Sequence, residues 1–556
     1  MQNPHENVIS ELLSEQHDSG FLSEEAMQAV AEKLDIPLYK VYGVASYYPS
    51  YRFTPPPKSV VQICRDLSCW IAGCGGRAKE VLEKMPDVEV QEVSCIGRCD
   101  IAPAALINEI PVQMDEPEHV IQWAKNPNLL EKPKPTRNPR KYAVDPYDSP
   151  EDRYGAIRAC LKGERTPEQV IETLKESGLR GLGGAGFPTA LKWEMVRKEV
   201  NTPKYVVCNA DESEPGTFKD RQILEECPHL TIEGMILAAF VSGSETGYIY
   251  IRHEYEKERE SAANALEVAY ERGVLGKNIF GTDFSFDLSI FVSPGGYILG
   301  EESALLEALE GNRGEPRNKP PFPGQKGLFA KPTIINNVET LAMVPCMLEK
   351  GLDWWKAQGK RGYAGLKFIS ISGHVNRPGV YLIPMGTTLR EFIELAGGMK
   401  DGIEFQAILP GGASSNILGS DKLDTAIDFK AMNDVGSMLG SGAMVVIGEG
   451  VDLLEAGTNI ARFFRNESCG KCVPCRLGSS KGVAILEDFL AGKCGKEKLD
   501  DLKDLQQVLG LTSICGLGQI ALSPVMSVIT NFPDQIEGRP WNGSGAESEE
   551  GKESGE

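Results

Sequence analysis

The chain has 556 residues, of which 41% are hydrophobic and 25% are charged. This mixture is typical of folded globular proteins and excludes a mainly disordered chain, and at about 150 residues per domain it predicts three or four domains. The formal net charge of −21 repels phosphate backbones, so we expect no nucleic-acid partner.

The apolar segments of the sequence are short. The run at residues 235–241 is one of the longest, and it falls far below the roughly 20 residues of a membrane-spanning helix. The polar, acidic first residues, MQNPHENVISELLSEQ, are unlike a secretory signal or an Arg-rich transit peptide. We therefore expect a cytoplasmic protein without direct membrane insertion, which could reach the inner membrane only through a larger complex.

The first 125 residues predict a helical start followed by a small α/β domain. Ser23 precedes two acidic residues, as at a helix N-terminus. Short strands are predicted at 60–63, 88–93 and 104–107, with a helix near 77–85. Residues 126–150 are rich in proline and charge and predict a linker.

The rest of the chain predicts three further domains and a tail. Strands alternate with helices in residues 151–365, as in a parallel α/β sheet. Residues 366–450 predict a small α+β domain, residues 451–535 a helical domain, and residues 536–556 an acidic tail. The clearest strands are 205–207, 248–251, 368–371 and 443–447, and the clearest helices are 254–272 and 389–396.

The first group of cysteines predicts a metal site. A large chain without a secretion signal favours metal ligands over disulfides. Cys64 and Cys69 form a C-x4-C pair, Cys95 and Cys99 form a C-x3-C pair, and each pair follows a predicted strand. Four thiolates at one end of a sheet suit a [2Fe–2S] cluster, with structural zinc as the alternative. Cys74 is interpreted as a buried thiol.

A second group of cysteines predicts another centre in the helical domain. Three cysteines form C-x2-C-x2-C, and a fourth follows much later; they are Cys469, Cys472, Cys475 and Cys515. This spacing indicates a [4Fe–4S] cluster, and zinc remains the alternative. Ser479 stands where a bacterial ferredoxin has its fourth cysteine, which excludes a ferredoxin repeat. Cys494 is not expected to be a ligand.

A glycine-rich loop, GLGGAGFPT at residues 181–189, precedes a predicted helix. Backbone N–H groups in such a loop can bind phosphate, although a purely structural turn is the alternative. Polar segments at 209–216, 295–303 and 336–340 supply acids and amides that suit ribityl or ribose hydroxyls. Ligands bind at the carboxyl ends of strands in open α/β sheets, and acidic surface loops are the alternative interpretation.

These motifs together resemble the NADH-oxidising flavoprotein subunit of respiratory complex I. The resemblance covers about residues 150–535 and rests on GGAGFPT, NADESEPGTFKDR, GEESALLEALEG, PRNKPPFP, NNVET and SCGKCVPCRLG in this order. Residues 21–125 resemble the thioredoxin-like [2Fe–2S] partner subunit. The chain is therefore similar to a fusion of two subunits, and also to the β subunit of NAD-dependent formate dehydrogenases and the diaphorase subunit of NAD-reducing hydrogenases.

The resemblance implies the cofactor sites residue by residue. FMN would be bound by Gly181, Gly183, Gly184, Lys192, Asn209, Asp211, Gly300, Glu301, Asn336, Asn337 and Thr340. NADH would be bound by Phe187, Glu214, Glu302, Lys319 and Phe322. The two phenylalanines would stack on the adenine, while Glu214 and Glu302 would position the nucleotide without acting as a catalytic acid or base.

The resemblance also implies a fold and an activity. Residues 151–365 would be a Rossmann-like FMN and NADH domain, 366–450 a ubiquitin-like domain, and 451–535 a helical bundle with the [4Fe–4S] cluster. Hydride would pass from NADH to FMN and single electrons through both clusters, toward further iron–sulfur subunits of an NADH-quinone oxidoreductase. Two alternatives stay open: a diaphorase subunit of a soluble formate dehydrogenase or hydrogenase, and a zinc-stabilised scaffold without redox activity.

Overall fold

The computed structural model describes residues 3–85, 88–136, 139–537 and 539. Its internal contacts divide the chain into two compact units, Met1–Glu449 and Gly450–Glu556. Most of the predicted acidic tail lies outside the described residues, as do residues 137 and 138 of the predicted linker. The finer domain limits stay predictions.

The first unit begins with three helices. They are α1 (Val8–Ser19), α2 (Glu24–Lys33) and α3 (Leu38–Ala45). The Ser23 hydroxyl accepts a hydrogen bond from the Ala26 backbone N–H at 3.1 Å and caps α2, as expected of serine before an acidic first turn. The predicted helical start is thus confirmed.

A mixed four-stranded sheet follows, with the order β2-β1-β3-β4. Its elements are β1 (Val60–Cys64), α4 (Leu67–Ile71), α5 (Cys74–Lys84), β2 (Glu89–Val93), β3 (Ala104–Ile107), β4 (Ile110–Gln113) and α6 (Pro117–Lys125). Strands β1 and β2 are parallel, so Cys64 and Cys95, at or just after their carboxyl ends, lie at the same edge of the sheet. The three predicted strands are confirmed, and β4 is additional.

The central sheet of the first unit is fully parallel, with the order β7-β6-β5-β8. Its strands are β5 (Tyr205–Ala210), β6 (Thr246–Arg252), β7 (Asp287–Ser293) and β8 (Thr333–Asn337). Its helices are α7 (Gly155–Leu161), α8 (Pro167–Ser177), α9 (Thr189–Lys198), α10 (Lys219–Glu226), α11 (Pro228–Ser242), α12 (Glu256–Glu271), α13 (Glu302–Leu309), α14 (Pro323–Lys326), α15 (Val338–Lys350) and α16 (Leu352–Ala357). The parallel register brings the carboxyl ends of all four strands to one edge, where Asn209, Arg252, Ser293 and Asn336 lie.

A third sheet completes the first unit, with the order β10-β9-β12-β11. Its elements are β9 (Leu366–Gly373), β10 (Gly379–Pro384), α17 (Leu389–Leu395), β11 (Phe405–Leu409), α18 (Phe429–Asp434) and β12 (Ala443–Gly448). Strand β12 is parallel to β9, whereas β10 and β11 are antiparallel to their neighbours. The predicted strands at 368–371 and 443–447 are confirmed; β10 and β11 were not predicted.

The described part of the second unit contains helices and no strands, as predicted. They are α19 (Leu453–Asn466), α20 (Val473–Leu490), α21 (Asp500–Thr512), α22 (Gly516–Ile520) and α23 (Ser523–Asn531). Helix α19 packs on both α20 and α23. Across the described residues of both units, none of the helices combines the length and apolar character needed to cross a membrane.

Two buried helices behind the central sheet approach each other very closely. An added Cβ at Gly234 of α11 would lie 2.2 Å from the Leu341 carbonyl oxygen of α15. Both residues belong to nearly continuously buried stretches of their helices. Because the obstacle is backbone, a side chain at Gly234 has to push the helices apart.

We predict that Gly234→Ala lowers the stability of this layer by about 1–3 kcal/mol, the usual effect of overpacking a core. Differential scanning calorimetry should show a lower melting temperature. Gly76→Ala is the matched control, since no atom lies within 4 Å of its added Cβ and alanine favours helix. An unchanged melting temperature for Gly234→Ala would contradict the close approach.

Candidate functional site

The glycine-rich loop lies against the end of β8 and the start of α15. The Leu182 backbone N–H donates to the Thr340 hydroxyl at 2.8 Å. An added Cβ at Gly183 would lie 2.7 Å from the Asn337 Cβ, so only glycine permits this approach. Gly184 has a φ of +144°, which side chains rarely adopt. The loop is therefore held in place by residues of the strand edge, with Gly183 exposed.

Three exposed apolar side chains lie in the glycine-rich loop, on α9 and just before α14. The Gly181 N–H donates to the Phe187 carbonyl at 2.8 Å and closes the loop. The side chains of Phe187, Met195 and Phe322 are 44%, 39% and 50% exposed. Exposed rings beside a glycine-rich loop offer flat surfaces on which a planar ligand can stack.

Helix α9 is anchored to β8 by two polar contacts. The Lys192 ammonium donates to the Ile335 carbonyl at 2.8 Å. The Trp193 indole N–H donates to the Asn336 side-chain oxygen at 2.9 Å, and Trp193 is fully buried. Trp193 was not among the predicted site residues, although it directly follows Lys192. The indole orients the Asn336 amide at the sheet edge.

The end of β5 contributes an amide and a carboxyl group. The Asn209 amide donates to the Gly300 carbonyl at 2.8 Å, which ties β5 to the segment before α13. The Ser293 hydroxyl, at the end of β7, donates to Asp211 at 2.7 Å. Burial raises the pKa of Asp211 to about 6. The predicted polar segments 209–216 and 295–303 thus meet at one edge.

A lysine joins two acidic residues at the start of α13. The Lys319 ammonium lies 2.7 Å from a Glu301 oxygen and 2.8 Å from a Glu302 oxygen. Another oxygen of Glu301 caps α13 by accepting from the Ser303 N–H at 2.9 Å. Burial opposes ionisation of Glu302, but Lys192 and Lys319 outweigh it and lower the pKa of Glu302. Glu302 is therefore a carboxylate flanked by two cations.

Glu214 is held by two groups that are distant in sequence. The Tyr297 hydroxyl donates to one carboxylate oxygen at 2.7 Å, and the Ser414 backbone N–H donates to the other at 2.6 Å. Burial raises the pKa of Glu214. Tyr297 lies within the polar segment identified in the sequence, whereas Ser414 carried no sequence signal.

A buried cluster of charges lies behind Asn337. The Lys219 ammonium lies 2.8 Å from Asp220 and 2.9 Å from Glu339, and the Lys367 ammonium lies 2.8 Å from Glu339. The Asn337 amide donates to Asp220 at 2.5 Å. Burial lowers the pKa of Lys367 to about 8 despite the opposing effect of Glu339. This cluster was not predicted, although Lys219 and Asp220 lie within the quoted motif NADESEPGTFKDR.

The four cysteines of the first group, Cys64, Cys69, Cys95 and Cys99, are all buried. The Cys95 and Cys99 sulfurs lie 3.5 Å apart, near the roughly 3.8 Å between two thiolates on one tetrahedral metal with bonds of about 2.3 Å. The Cys64 thiol is hydrogen-bonded to both Cys69 and Cys95. The four thiols thus form a continuous set that fits a binuclear cluster. Cys74 is a buried thiol whose pKa burial raises to about 12.

Three cysteines of the second group lie at the start of α20: Cys469 and Cys472 precede the helix, and Cys475 is in its first turn. Cys475 is buried and its thiol lies near those of Cys469 and Cys472. The Ser468 hydroxyl is 3.2 Å from the Cys475 sulfur.

The segment that carries Cys515 packs against the start of α20. An added Cβ at Gly518 would lie 2.5 Å from the Ser513 hydroxyl oxygen and 2.9 Å from the Cys475 Cβ. Within the described part of the chain, the buried Ser513 hydroxyl has no hydrogen-bond partner, so it could donate to the sulfur of a bound cluster. The residues around Cys515 and Cys475 therefore fit an iron–sulfur group.

The cysteines of the described residues are free thiols. All fourteen cysteines lie within the described residues, and none of them forms a disulfide. In the same residues, no group of three or more Cys, His, Asp or Glu side chains is arranged around a single metal ion.

Four family models match successive parts of the chain. Residues 1–126 match the thioredoxin-like [2Fe–2S] ferredoxin family, and residues 174–346 match the Nuo51 FMN-binding domain. Residues 368–412 match the SLBB domain, and residues 455–539 match the iron–sulfur binding region of NADH-ubiquinone oxidoreductase-F. These matches establish FMN, one [2Fe–2S] and one [4Fe–4S] cluster as the cofactors of the chain.

Individual relatives agree with the family models. An F subunit of NADH-quinone oxidoreductase in Rhizobium meliloti is 45% identical over 380 residues, which are 68% of this chain and 90% of the relative. The F subunit of NADH-quinone oxidoreductase in Escherichia coli is 41% identical over 397 residues, which are 71% of this chain and 89% of the relative.

A solved structure is similar over nearly the whole chain. A chain of an NAD+-reducing [NiFe]-hydrogenase in the H2-reduced state is 28% identical, with a TM-score of 0.86, over 97% of this chain and 95% of its own. Together with the identities above, these similarities place the sequence in one family. The chain belongs to the family of NADH-quinone oxidoreductase F subunits and carries a thioredoxin-like [2Fe–2S] domain ahead of the regions that this family shares.

Proposed function

We propose that the chain is an NADH dehydrogenase module that works as a subunit of an NADH-quinone oxidoreductase. The observation that carries the proposal is the convergence of the glycine-rich loop with Asn209 and Asn336 at one edge of the parallel sheet. FMN, when bound, accepts a hydride and releases electrons one at a time to iron–sulfur clusters.

The proposed FMN residues provide hydrogen-bond donors and, at the glycines, room for the cofactor to approach the backbone. The backbone of Gly183 and Gly184 supplies N–H groups for the phosphate, while the Gly181 N–H closes the loop and Lys192 is a nearby cation. The amides and carboxyls at the strand ends bind the ribityl and ring polar atoms. The proposed set is Gly181, Gly183, Gly184, Lys192, Asn209, Asp211, Gly300, Glu301, Asn336, Asn337 and Thr340. Its support is the close approach of Gly183 to Asn337.

The NADH residues orient the nucleotide and exclude water. Phe187 and Phe322 present exposed rings on which an adenine can stack. Glu214 and Glu302, each fixed by neighbouring donors, bind ribose hydroxyls, and Lys319 faces a phosphate. Hydride transfer needs orientation rather than a strong acid or base, so the proposal assigns no catalytic acid or base.

The iron–sulfur ligands are proposed from the two groups of thiols. Cys64, Cys69, Cys95 and Cys99 hold the [2Fe–2S] cluster, and Cys469, Cys472, Cys475 and Cys515 hold the [4Fe–4S] cluster. The fit of the Cys95 and Cys99 sulfurs to one iron supports the first set. The Ser513 hydroxyl near Cys475 supports the second.

We propose that the domains have the boundaries that the sequence predicts. Residues 151–365 form a Rossmann-like FMN and NADH domain, and 366–450 a ubiquitin-like domain, supported by a mixed four-stranded sheet with helix α17. Residues 451–535 form a helical bundle around the [4Fe–4S] ligands. The module faces the cytoplasm and contacts the inner membrane through other subunits of its complex.

A second candidate is the diaphorase subunit of a soluble NAD-reducing enzyme. It is favoured by one observation: the similarity to the hydrogenase chain spans 97% of this chain, whereas the Rhizobium meliloti relative aligns with 68%. Copurification with a quinone-reducing membrane arm supports the first candidate, and copurification with a molybdenum or nickel subunit supports the second.

Anaerobic titration of the purified chain with NADH tests the proposed function. We expect the flavin absorbance to bleach with NADH, and iron–sulfur EPR signals to develop with NADH or a stronger reductant. A protein that contains zinc in place of flavin and iron would refute the proposal and favour a non-redox scaffold. Flavin bleaching without any cluster signal would refute only the ligand assignment.

We predict that Glu302→Gln increases the use of NADPH relative to NADH by about tenfold, equivalent to about 1.4 kcal/mol. The carboxylate next to the ribose repels the 2′-phosphate of NADPH, and glutamine removes this charge while it keeps the shape. Steady-state kcat/KM for both nucleotides measures the change. Glu260→Gln, on an exposed turn of α12, is the control for net charge. An unchanged ratio of kcat/KM for NADPH to that for NADH in Glu302→Gln would contradict the proposed position of Glu302 beside the ribose.

Substitution of a proposed ligand and of a nearby cysteine that is not a proposed ligand tests each ligand set. We predict that Cys99→Ala removes the [2Fe–2S] EPR signal and its iron while Cys74→Ala retains both, because Cys74 is a spare buried thiol. In the second unit, Cys472→Ala should remove the [4Fe–4S] signal and Cys494→Ala should retain it. Iron analysis and EPR of the four variants measure this, and loss of a cluster in either control would overturn the corresponding ligand set.

A further inference from the structure

An arginine of the central sheet contacts the loop that carries two of the first cysteines. Arg252 ends β6 and is 3% exposed. Its guanidinium donates to the Cys95 carbonyl at 2.9 Å and to the Glu212 carbonyl at 2.6 Å. It also pairs with Glu254, whose carboxylate accepts from the Arg252 Nε at 2.9 Å. One buried side chain thus joins the FMN-binding region to the Cys95–Cys99 loop.

Further contacts from the same region fix this loop. The Arg221 guanidinium donates to the Gly97 carbonyl at 3.0 Å and to Asp100 at 2.8 Å. An added Cβ at Gly97 would lie 2.5 Å from the Tyr255 hydroxyl oxygen. The backbone N–H of Gly216 faces the Cys99 sulfur. The surroundings of the loop are therefore built largely by residues outside the thioredoxin-like domain.

Such contacts affect the electron affinity of an iron–sulfur cluster. Reduction adds negative charge, so a nearby cation and donated hydrogen bonds stabilise the reduced state and raise the reduction potential. The Arg252–Glu254 pair is an oriented dipole whose positive end contacts the Cys95 carbonyl. Because Arg252 is buried, water screens its field only weakly.

We propose that Arg252 is a positioning residue of the [2Fe–2S] centre, which fixes the Cys95–Cys99 loop and raises the reduction potential of the cluster. The inference rests on the proposed ligand set Cys64, Cys69, Cys95 and Cys99. It adds that the FMN-binding region, and not the thioredoxin-like domain alone, determines this potential.

The test is an EPR-monitored potentiometric titration of the full-length, cluster-loaded chain. Arg252→Gln removes the cation, and Arg252→Lys retains it with fewer donors. Glu254→Gln removes the opposing carboxylate. Arg272→Gln is the matched control, since Arg272 also donates to two backbone carbonyls, at 2.6 and 2.8 Å, and lies over a tyrosine ring, as Arg252 does.

We expect the [2Fe–2S] midpoint potential to fall in Arg252→Gln, to fall less in Arg252→Lys, and to rise in Glu254→Gln. The [4Fe–4S] midpoint potential should stay unchanged in every variant, and Arg272→Gln should match the wild type. A merely structural role of the pair would not shift the [2Fe–2S] midpoint potential in opposite directions in the Arg252 and Glu254 variants.

An unchanged or higher [2Fe–2S] midpoint in Arg252→Gln would overturn the inference. If Arg252→Gln does not retain iron, the [2Fe–2S] midpoint potentials of Arg252→Lys and Glu254→Gln provide the test. Identical shifts of the potential in these two variants would also overturn the inference. A wild-type chain without any [2Fe–2S] EPR signal would instead refute the proposed function. The two failures are thus distinguishable.

Discussion

The buried charge cluster of Lys219, Asp220, Glu339 and Lys367 is the constraint on which the arrangement of the first unit depends. The two lysines and Glu339 have no exposed surface, and Asp220 is 3% exposed. An isolated charge at such a position would be destabilised by several kcal/mol, so each group requires its partners. The partners come from α10, α15 and β9, and the cluster therefore permits one relative placement of these elements.

The same cluster determines the shape of the cofactor edge. Asn337 donates to Asp220 and also caps α15 through the Glu339 N–H. The Lys367 ammonium reaches the Leu182 carbonyl at 3.3 Å, within the glycine-rich loop. A change of charge in the cluster would therefore disturb the positions of both the glycine-rich loop and Asn337. Lys367 has this effect from a strand of the third sheet.

The parts of the molecule that depend on local sequence could be predicted. Strand β3 has the predicted limits, since four buried residues, Ala104–Ile107, form one short apolar run. Each cysteine group was found from its spacing alone. Strand β10 was missed because it contains glycine and proline at its ends, Gly379 and Pro384, which usually indicate a turn.

Contacts between distant residues could not be predicted in this way. The Ser414 backbone N–H binds Glu214 from 200 positions away, and nothing in the local sequence around Ser414 indicates such a role. The buried position of Lys219 could not be predicted either, because only the fold brings Glu339 to it. Buried charged pairs have no periodicity of their own, and their positions become visible only in three dimensions.

The boundary between the thioredoxin-like domain and the central sheet is also formed by buried charges. Arg98 pairs with Glu258 at 3.2 Å, and Arg221 pairs with Asp100 at 2.8 Å. Such pairs favour one geometry but contribute little net affinity, because desolvation offsets most of their attraction. Two separate proteins would therefore need other contacts to stay associated. In this chain the covalent connection keeps the two surfaces at a high effective concentration, so a boundary rich in charged pairs can be retained for its geometry and for its electrostatic effect on the neighbouring thiols.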